Sequence, residues 1–364
     1  MTNSKASEAA RHFALYGDIL DVVPYGNGHI NDTCLLRCSQ AGTVVRYIVQ
    51  RLNTAIFREP EKLMANVSRV LAHCSARLAG QADASRRALT LVPAQDGRPF
   101  WRDADGACWR CYLFIEGATS YDILETPAQA YAAAKAFGAF LALLADIGGE
   151  RLEETIPHFH DTPSRLVAFD AALAADSRNR AALAKDEIAF VAATRHIAPR
   201  LLDLQASGAI PERITHNDTK LNNVMLDNIS GVGICVIDLD TVMPGQSLFD
   251  FGDLVRTSVS PAAEDERDLS KVQLRHDVFA ALAKGYLKGC DGCLTKTEVE
   301  LLPFAGQLIT FEIGLRFLTD YLQGDVYFKT HREGHNLDRC RTQFQLVKLL
   351  QEHETALQTM VATL

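Results

Sequence analysis

The sequence predicts an α+β protein of two lobes, a small antiparallel sheet over residues 1–114 followed by a mainly helical body over residues 115–364. Three observations carry that expectation. Short runs rich in β-branched and aromatic residues, at 34–37, 44–53, 88–92, 99–101 and 109–114, crowd the N-terminal third and are separated by turn residues. Longer apolar segments dominate afterwards, two of them opened by a hydroxyl residue and a proline, Thr126-Pro127 and Thr162-Pro163. Between those helices lies a polar stretch, Thr215 to Asn223, that leads into an apolar hairpin.

Taken in order, residues 5–16 have helical composition and pack on the small lobe. Tyr25-Gly26-Asn27-Gly28 is a polar turn entering a strand. Two close glycines let backbone N–H groups approach a polyphosphate, so Gly26, Asn27 and Gly28 are candidates for covering a nucleotide; the alternative is a plain hairpin turn. The strand at 44–53 ends where a phosphate-binding cation is wanted, and the chain offers Arg51 or Gln50 there. Pro60 opens a helix in which Glu61 is a partner for Arg51. The last strand runs into Phe114-Ile115-Glu116-Gly117, the expected hinge, where Phe114 and Glu116 border an adenine site. Helices follow at 127–146, 163–175 and 185–206, and after the polar stretch at 271–289, 297–323 and 336–362.

The chemistry concentrates in His216-Asn217-Asp218-Thr219-Lys220-Leu221-Asn222-Asn223. The form H-x-D-x-x-x-x-N is the one that protein-kinase-type phosphoryl transferases use to set one carboxylate on an acceptor hydroxyl and one amide on a metal ion. Strands at 224–226 and 234–237, joined by a turn at 227–231, return the chain to Asp238. Asn223 and Asp238 are then placed to share one Mg²⁺, a hard cation that takes oxygen ligands, with Asp240 in reach of a second site. Asp218 is the expected base, and Lys220 adds positive charge beside the transferring group. Asp250-Phe251-Gly252 spells the triplet that protein kinases use for metal, yet it lies beyond a turn-rich segment that has left the hairpin. Asp250 therefore reads as a brace beneath the catalytic loop, and Asp253 as the start of a helix.

Composition narrows the class. A chain of 364 residues that is 48% hydrophobic and 23% charged is large enough for two cores, and a net charge of −8 disfavours nucleic acid and anionic membranes as partners. The absence of a membrane-length apolar run and of a hydrophobic leader at the start predicts a cytoplasmic protein. Nine cysteines include Cys108-x-x-Cys111 and Cys290-x-x-Cys293. The first pair lies on a strand, where positions three apart face opposite ways, so a four-thiolate zinc site is disfavoured and reduced thiols are expected. His158 and His160, like His331 and His335, lack a third ligand and read as polar surface or substrate rim.

The blocks Gly26-x-Gly28-His29-Ile30-Asn31-Asp32-Thr33, His216 to Asn223, Ile237-Asp238-Leu239-Asp240-Thr241-Val242-Met243-Pro244-Gly245, Phe249 to Asp253 and Arg316-Phe317-Leu318-Thr319-Asp320-Tyr321-Leu322-x-Gly324-Asp325 together resemble the aminoglycoside phosphotransferase-like small-molecule kinases. Within that family they are most similar to N-acetylhexosamine 1-kinases. The resemblance spans residues 26–325. It implies a bilobal protein-kinase-like fold, ATP with Mg²⁺, and a small sugar phosphorylated at its anomeric hydroxyl, with Arg316 and Tyr327 in the sugar pocket beside Asp218. Arg316, Asp320 and Gln323 also share a helix face by spacing alone, which an exposed ion-paired helix would equally produce. Two other readings stay open: a family kinase acting on another small alcohol, such as an amino alcohol or aminoglycoside, and an inactive nucleotide-binding module. The short span between Asp238 and Asp250 disfavours a protein substrate.

Overall fold

The computed structural model describes residues 3–26 and 30–364. Its N-terminal part contains α1 (Asn3–Ala10), β1 (Asp18–Pro24), β2 (Asp32–Gln40), β3 (Thr43–Arg51), α2 (Pro60–Leu78), α3 (Ala84–Arg87), β4 (Leu91–Val92), β5 (Trp101–Arg102) and β6 (Cys108–Leu113). Among the described residues these strands form one antiparallel sheet in the order β1-β2-β3-β6-β4, with β5 also paired to β6. Alternation gives the sheet two different faces. Tyr47 and Val49 of β3, with Trp109 and Cys111 of β6, are buried in a small core with Ala6, Ala9 and Ala10 of α1. The intervening Ile48, Gln50, Arg110 and Tyr112 face a cavity on the other side. The sequence reading missed β1, whose alternation is broken by a register shift between Ile19 and Asp21.

The helical part begins with β7 (Ala118–Thr119) and α4 (Pro127–Leu144), then α5 (Thr162–Ala175), α6 (Lys185–Thr194) and α7 (Arg200–Ala206). Four short strands follow: β8 (Arg213–Thr215), β9 (Val224–Asp227), β10 (Gly233–Val236) and β11 (Met243–Gly245). The chain closes with α8 (Ser247–Ser258), α9 (His276–Cys290), α10 (Lys296–Glu300), α11 (Leu302–Gln323), α12 (His335–Glu352) and α13 (Glu354–Ala362). Thr126 caps α4 in a reciprocal arrangement with Gln129, and α4, apolar on most faces, packs along α9 as the spine of a continuous core. The α+β architecture with an N-terminal antiparallel sheet is thus as the sequence predicts. No helix among the described residues is long and apolar enough to cross a membrane.

Several boundaries differ. The cap of α5 is Asp161, whose side chain accepts from the Ser164 N–H at 2.9 Å, because the Thr162 hydroxyl is committed to Glu312 inside the core. The helix expected at 185–206 is two helices, since Pro199 has no N–H to continue the ladder. The turn-rich segment after Asp240 contains β11, paired with β8 through Met243↔Thr215 and Gly245↔Arg213. Asp253, expected at a helix start, lies inside α8, and it is Asp250 that falls in the first turn.

Candidate active site

The loop from Thr215 to Asn223 is held from below and from both sides. Asp250 accepts from the backbone N–H groups of His216 at 3.1 Å and Asn217 at 2.6 Å, while Thr219 donates its hydroxyl to the Asp250 carbonyl. His216 donates from Nε2 to the Ile237 carbonyl at 2.9 Å and accepts at Nδ1 from the Asp218 N–H at 3.3 Å. Its ring meets Phe137 and Phe140 edge-on. Asn217 sits at φ +65°, a left-handed conformation that asparagine tolerates, and its amide donates to the Thr241 carbonyl at 2.9 Å. Gly245 makes room for this turn: a Cβ there would strike the Thr215 hydroxyl and stand 2.6 Å from Asn217 Oδ1. Burial pushes the Asp250 carboxyl up to about 6, against the pull of His216 and the two backbone N–H groups.

On this frame four polar side chains converge. Lys220 Nζ lies 3.0 Å from Asp218 Oδ2, and Asn223 donates from Nδ2 to the Asp218 carbonyl at 2.8 Å and to Oδ2 at 3.2 Å. Asp218 Oδ1 makes no hydrogen bond among the described residues. Desolvation resists ionisation of Asp218, but Lys220, by charge and hydrogen bond, together with the pull of His216 and Arg256, outweighs it and holds the carboxyl below the usual range. The β9–β10 hairpin returns to the loop through the Ile237 N–H, which donates to the Asn223 carbonyl at 2.9 Å. Asp238 follows at φ +58°, facing the cleft with no donor to its carboxylate among the described residues. Desolvation by the surrounding protein, with the charges of Asp240 and Asp218, pushes its carboxyl up to about 7. Asn223 Oδ1 and the Asp238 carboxylate are therefore hard oxygen donors without protein partners, a set that fits a small divalent cation.

Above them lies a cavity of about 210 Å³ between the sheet and the hairpin. Its wall includes Gly26, Thr33, Gln50, Arg110, Tyr112 and Phe114, and its floor Asn223, Met225 and Asp238. Phe114 is sandwiched by the Arg46 guanidinium, 4.1 Å from its centroid, and the edge of Tyr25. Asn27 and Gly28 lie outside the described residues. Arg51 is not on this wall. It stands one residue past Gln50, so the strand turns it to the opposite face, where it is exposed and 3.7 Å from Asp32. Glu61 pairs with Arg102 instead of Arg51. Glu116 also lies off the wall, its carboxylate bonded to Arg46 and its carbonyl to Arg86 Nε at 2.9 Å. Asp240 differs most from expectation. It is buried against Arg110 Nη1 and accepts from Asn31 Nδ2 at 2.6 Å, so its charge is already neutralised by a guanidinium and both oxygens are in use.

A second cavity, of about 250 Å³, opens between α5 and α11 and is lined by Ile156, Arg165, Arg316, Gln323, Tyr327 and Phe328 among others. Arg316 Nη2 lies 3.4 Å from the Tyr327 hydroxyl and its guanidinium is within 6 Å of the Phe159, Tyr327 and Phe328 rings. Asp320, which lines the same cavity, has both oxygens committed to hydrogen bonds. Its oxygens accept from the N–H groups of Val326, Tyr327 and Phe328 at 2.8, 2.8 and 3.0 Å and from Asn336 Nδ2 at 2.8 Å. Arg165 donates to the His158 and Phe159 carbonyls, leaving a buried Nε without a partner. The segment that enters this cavity at Ile156 is tied to the segment after the hairpin: Thr155 donates to the Asp240 carbonyl at 2.7 Å. His160 is a buried strut rather than a rim residue, with Nδ1 2.9 Å from Glu312 and Nε2 3.0 Å from the Asn217 carbonyl. His335 is buried as well, 3.0 Å from Asp265.

Residues 21–284 match the model of the phosphotransferase enzyme family (APH). The chain belongs to this family. Solved structures share the phosphotransferase's fold over nearly its whole length. An aminoglycoside phosphotransferase from Alicyclobacillus acidocaldarius superposes with a TM-score of 0.59 at 14% identity, covering 98% of this chain and 96% of the other. A choline kinase from Cryptosporidium parvum gives 0.56 at 12% identity and 98% of both chains. A spectinomycin phosphotransferase, solved with ADP and spectinomycin, gives 0.55 at 12% identity, covering 97% and 98%.

Of the residues singled out from sequence, the phosphotransferase brings together Asp218, Lys220, Asn223 and Asp238, and Arg316 with Tyr327; it places Gly26 and Phe114 on the cavity wall and leaves Arg51 and Glu116 outside it. Sequence reading passed over Arg110, Tyr112 and Arg165. Arg110 had a signal: it is the one charged residue in an otherwise apolar strand, Cys108-Trp109-Arg110-Cys111-Tyr112-Leu113. The His160–Glu312 pair had none, since its members are 152 residues apart.

Proposed function

We propose that this phosphotransferase moves the γ-phosphoryl group of ATP to the anomeric hydroxyl of an N-acetylhexosamine, giving the sugar 1-phosphate and ADP. Residues 1–114 cover the nucleotide and residues 115–364 carry the loop, the metal ligands and the acceptor pocket. The observation that carries the reading is the cluster Asp218, Lys220, Asn223 and Asp238, of which Asn223 and Asp238 lie at the floor of a cavity roofed by the sheet. ADP in the spectinomycin phosphotransferase supports a nucleotide in the equivalent cleft.

Asp218 is ionised at neutral pH and has one oxygen, Oδ1, unspent. It orients the acceptor hydroxyl and takes its proton as the new oxygen–phosphorus bond forms and the β–γ bridge breaks. Lys220 fixes the other carboxylate oxygen and offsets negative charge beside the transferring group. Asn223 and Asp238 would hold Mg²⁺, which when bound neutralises the phosphate oxygens. Two protein oxygens suit an ion that keeps waters and takes substrate phosphates.

The acceptor assignment rests on the charge of the second cavity. Arg165 and Arg316 both face it, and the one carboxylate on its lining, Asp320, has both oxygens bonded to N–H groups, so a cationic alcohol meets two guanidinium groups and no carboxylate oxygen left to accept from it. That favours a neutral, hydroxyl-rich acceptor over an amino alcohol or aminoglycoside. The orphan Arg165 Nε and the aromatic surround of Arg316 are the donor and platform that a pyranose uses. A screen of free hexoses, N-acetylhexosamines, amino alcohols and aminoglycosides with ATP and Mg²⁺, the product linkage read by ³¹P NMR, tests this directly. Turnover confined to amines would overturn the sugar assignment, and turnover of hexoses without their N-acetyl counterparts would overturn its acetamido part.

A further inference from the structure

We propose that the cation meeting the nucleotide's phosphates in this chain is Arg110 of β6, standing in for the charge that β3 lacks. The inference rests on the nucleotide reading above. On β3 the residue nearest the acidic floor is Gln50, which is neutral; of the strand's two cations, Arg46 is paired with Glu116 beside Phe114 and Arg51 faces the other way. Gln50 and Arg110 are register partners across the β3–β6 pair, so moving the charge from one to the other displaces it by a single strand. Arg110 Nε donates to Gln50 Oε1 at 2.9 Å and Nη1 to Asp240, which fixes the plane of the guanidinium. Nη2 makes no hydrogen bond among the described residues, although the residue is only 1% exposed and lines the cavity that contains Asn223 and Asp238.

A second, independent feature points to the same ligand. Tyr112, 4% exposed and on the same cavity wall, has a hydroxyl with no partner among the described residues, and the Arg110 guanidinium lies 5.2 Å from its ring centroid. The buried Tyr112 hydroxyl is costly to leave unpaired unless an acceptor fills the space between sheet and hairpin, and the Nη2 edge of Arg110 offers a charged donor to the same acceptor. A diphosphate supplies such acceptors, and a planar fork held by a buried counter-ion meets it without reorganising. Asp240 is then the counter-ion that aims Arg110, a positioning role in place of the metal role expected from sequence.

The test measures binding of ADP and of adenosine in EDTA by titration calorimetry, so that neither metal nor turnover enters. Wild-type protein should bind ADP more tightly than adenosine. Arg110→Met combined with Asp240→Asn, which leaves no lone buried carboxylate, should lose about tenfold or more in ADP affinity while adenosine changes less than about twofold, the size expected for removing charged hydrogen bonds. Arg110→Met with Gln50→Lys puts a cation back one strand away and should recover most of the ADP affinity, which a merely structural arginine would not allow. A folded double variant, by circular dichroism, that binds ADP as wild type does overturns the proposal. So does a Gln50→Lys variant that folds without recovery. Wild-type protein that binds neither compound overturns the nucleotide reading itself, and one that binds both equally overturns the role of Arg110 alone.

Discussion

At the scale of single residues, three aspartates within 33 positions of one another take three different tasks because their surroundings differ. Asp218 has Lys220 in contact and one oxygen without a hydrogen bond among the described residues, Asp238 accepts no hydrogen bond among them and is crowded by Asp240 and Asp218, and Asp250 is held by backbone N–H groups. Asp218→Asn should keep nucleotide affinity and lower kcat by at least ~10²-fold, the low end for losing a positioned base; a folded variant with near-normal turnover would refute that role. Asp238→Ala should abolish the Mg²⁺ dependence of nucleotide binding at unchanged melting temperature, since it removes a carboxylate held by no hydrogen bond. Asp250→Ala should do the reverse. Two buried N–H groups lose their acceptor, at a cost of ~1–3 kcal/mol each, and the melting temperature falls. A raised Mg²⁺ requirement in Asp250→Ala with no loss of stability would exchange the two assignments.

At the scale of elements, α8 and α11 do the positioning. The triplet Asp250-Phe251-Gly252 is helical: Asp250 points up to the loop, Phe251 is buried near Phe279 and Tyr286, and Gly252 packs against α11, where a Cβ would lie 2.6 Å from Ile309 Cγ1. The C-terminal end of α11 carries Asp320, which gathers the N–H groups of residues 326–328 and thereby holds Tyr327 beside Arg316. Asp320→Ala should release that turn, raise KM for the acceptor severalfold and leave KM for ATP nearly unchanged. Steady-state kinetics varying each substrate in turn checks it, and an equal rise in both constants would point to general unfolding instead.

At the scale of the whole molecule, a buried ion pair ties α5, α11 and the loop together. His160 faces two acceptors, Glu312 and the Asn217 carbonyl, so both of its nitrogens must carry protons. Burial lowers the basicity of His160, but Glu312 more than offsets this and the imidazole titrates above its ordinary value; desolvation likewise opposes the Glu312 charge, and His160 outweighs it to hold the carboxyl below its ordinary value. The signs follow. The histidine's contribution is complete below the ordinary imidazole pKa and is lost as pH rises through the raised one. The glutamate's is complete above the ordinary carboxylate pKa and is lost as pH falls through the lowered one. The pair's own contribution, read as the difference in melting temperature between wild type and Glu312→Gln at each pH, should therefore be level between those two ordinary values, while Asp238 and Asp250, raised by burial, tilt the wild-type curve itself. Glu312→Gln should lower the melting temperature throughout and remove the decline on the alkaline side, and a variant that keeps that decline would show that it comes from other groups.

The sequence by itself determined the α+β architecture, the loop from His216 to Asn223 and its return to Asp238, because each is a local matter. Strand alternation, helix caps and a short hairpin act over a few residues, so their spacing in the chain is their spacing in space. It also placed Asp250 beneath the loop and off the hairpin that ends at Asp238, by counting where the hairpin ends. What only the tertiary structure decided are the partnerships made across long separations. Arg110 meets Asp240 across 130 residues and His160 meets Glu312 across 152, and no periodicity encodes either. The same holds for the face on which a charge emerges: Gln50 and Arg51 are one residue apart, and only the pairing of β3 with β6 and the burial of one face under α1 turns the first toward the cavity and the second away.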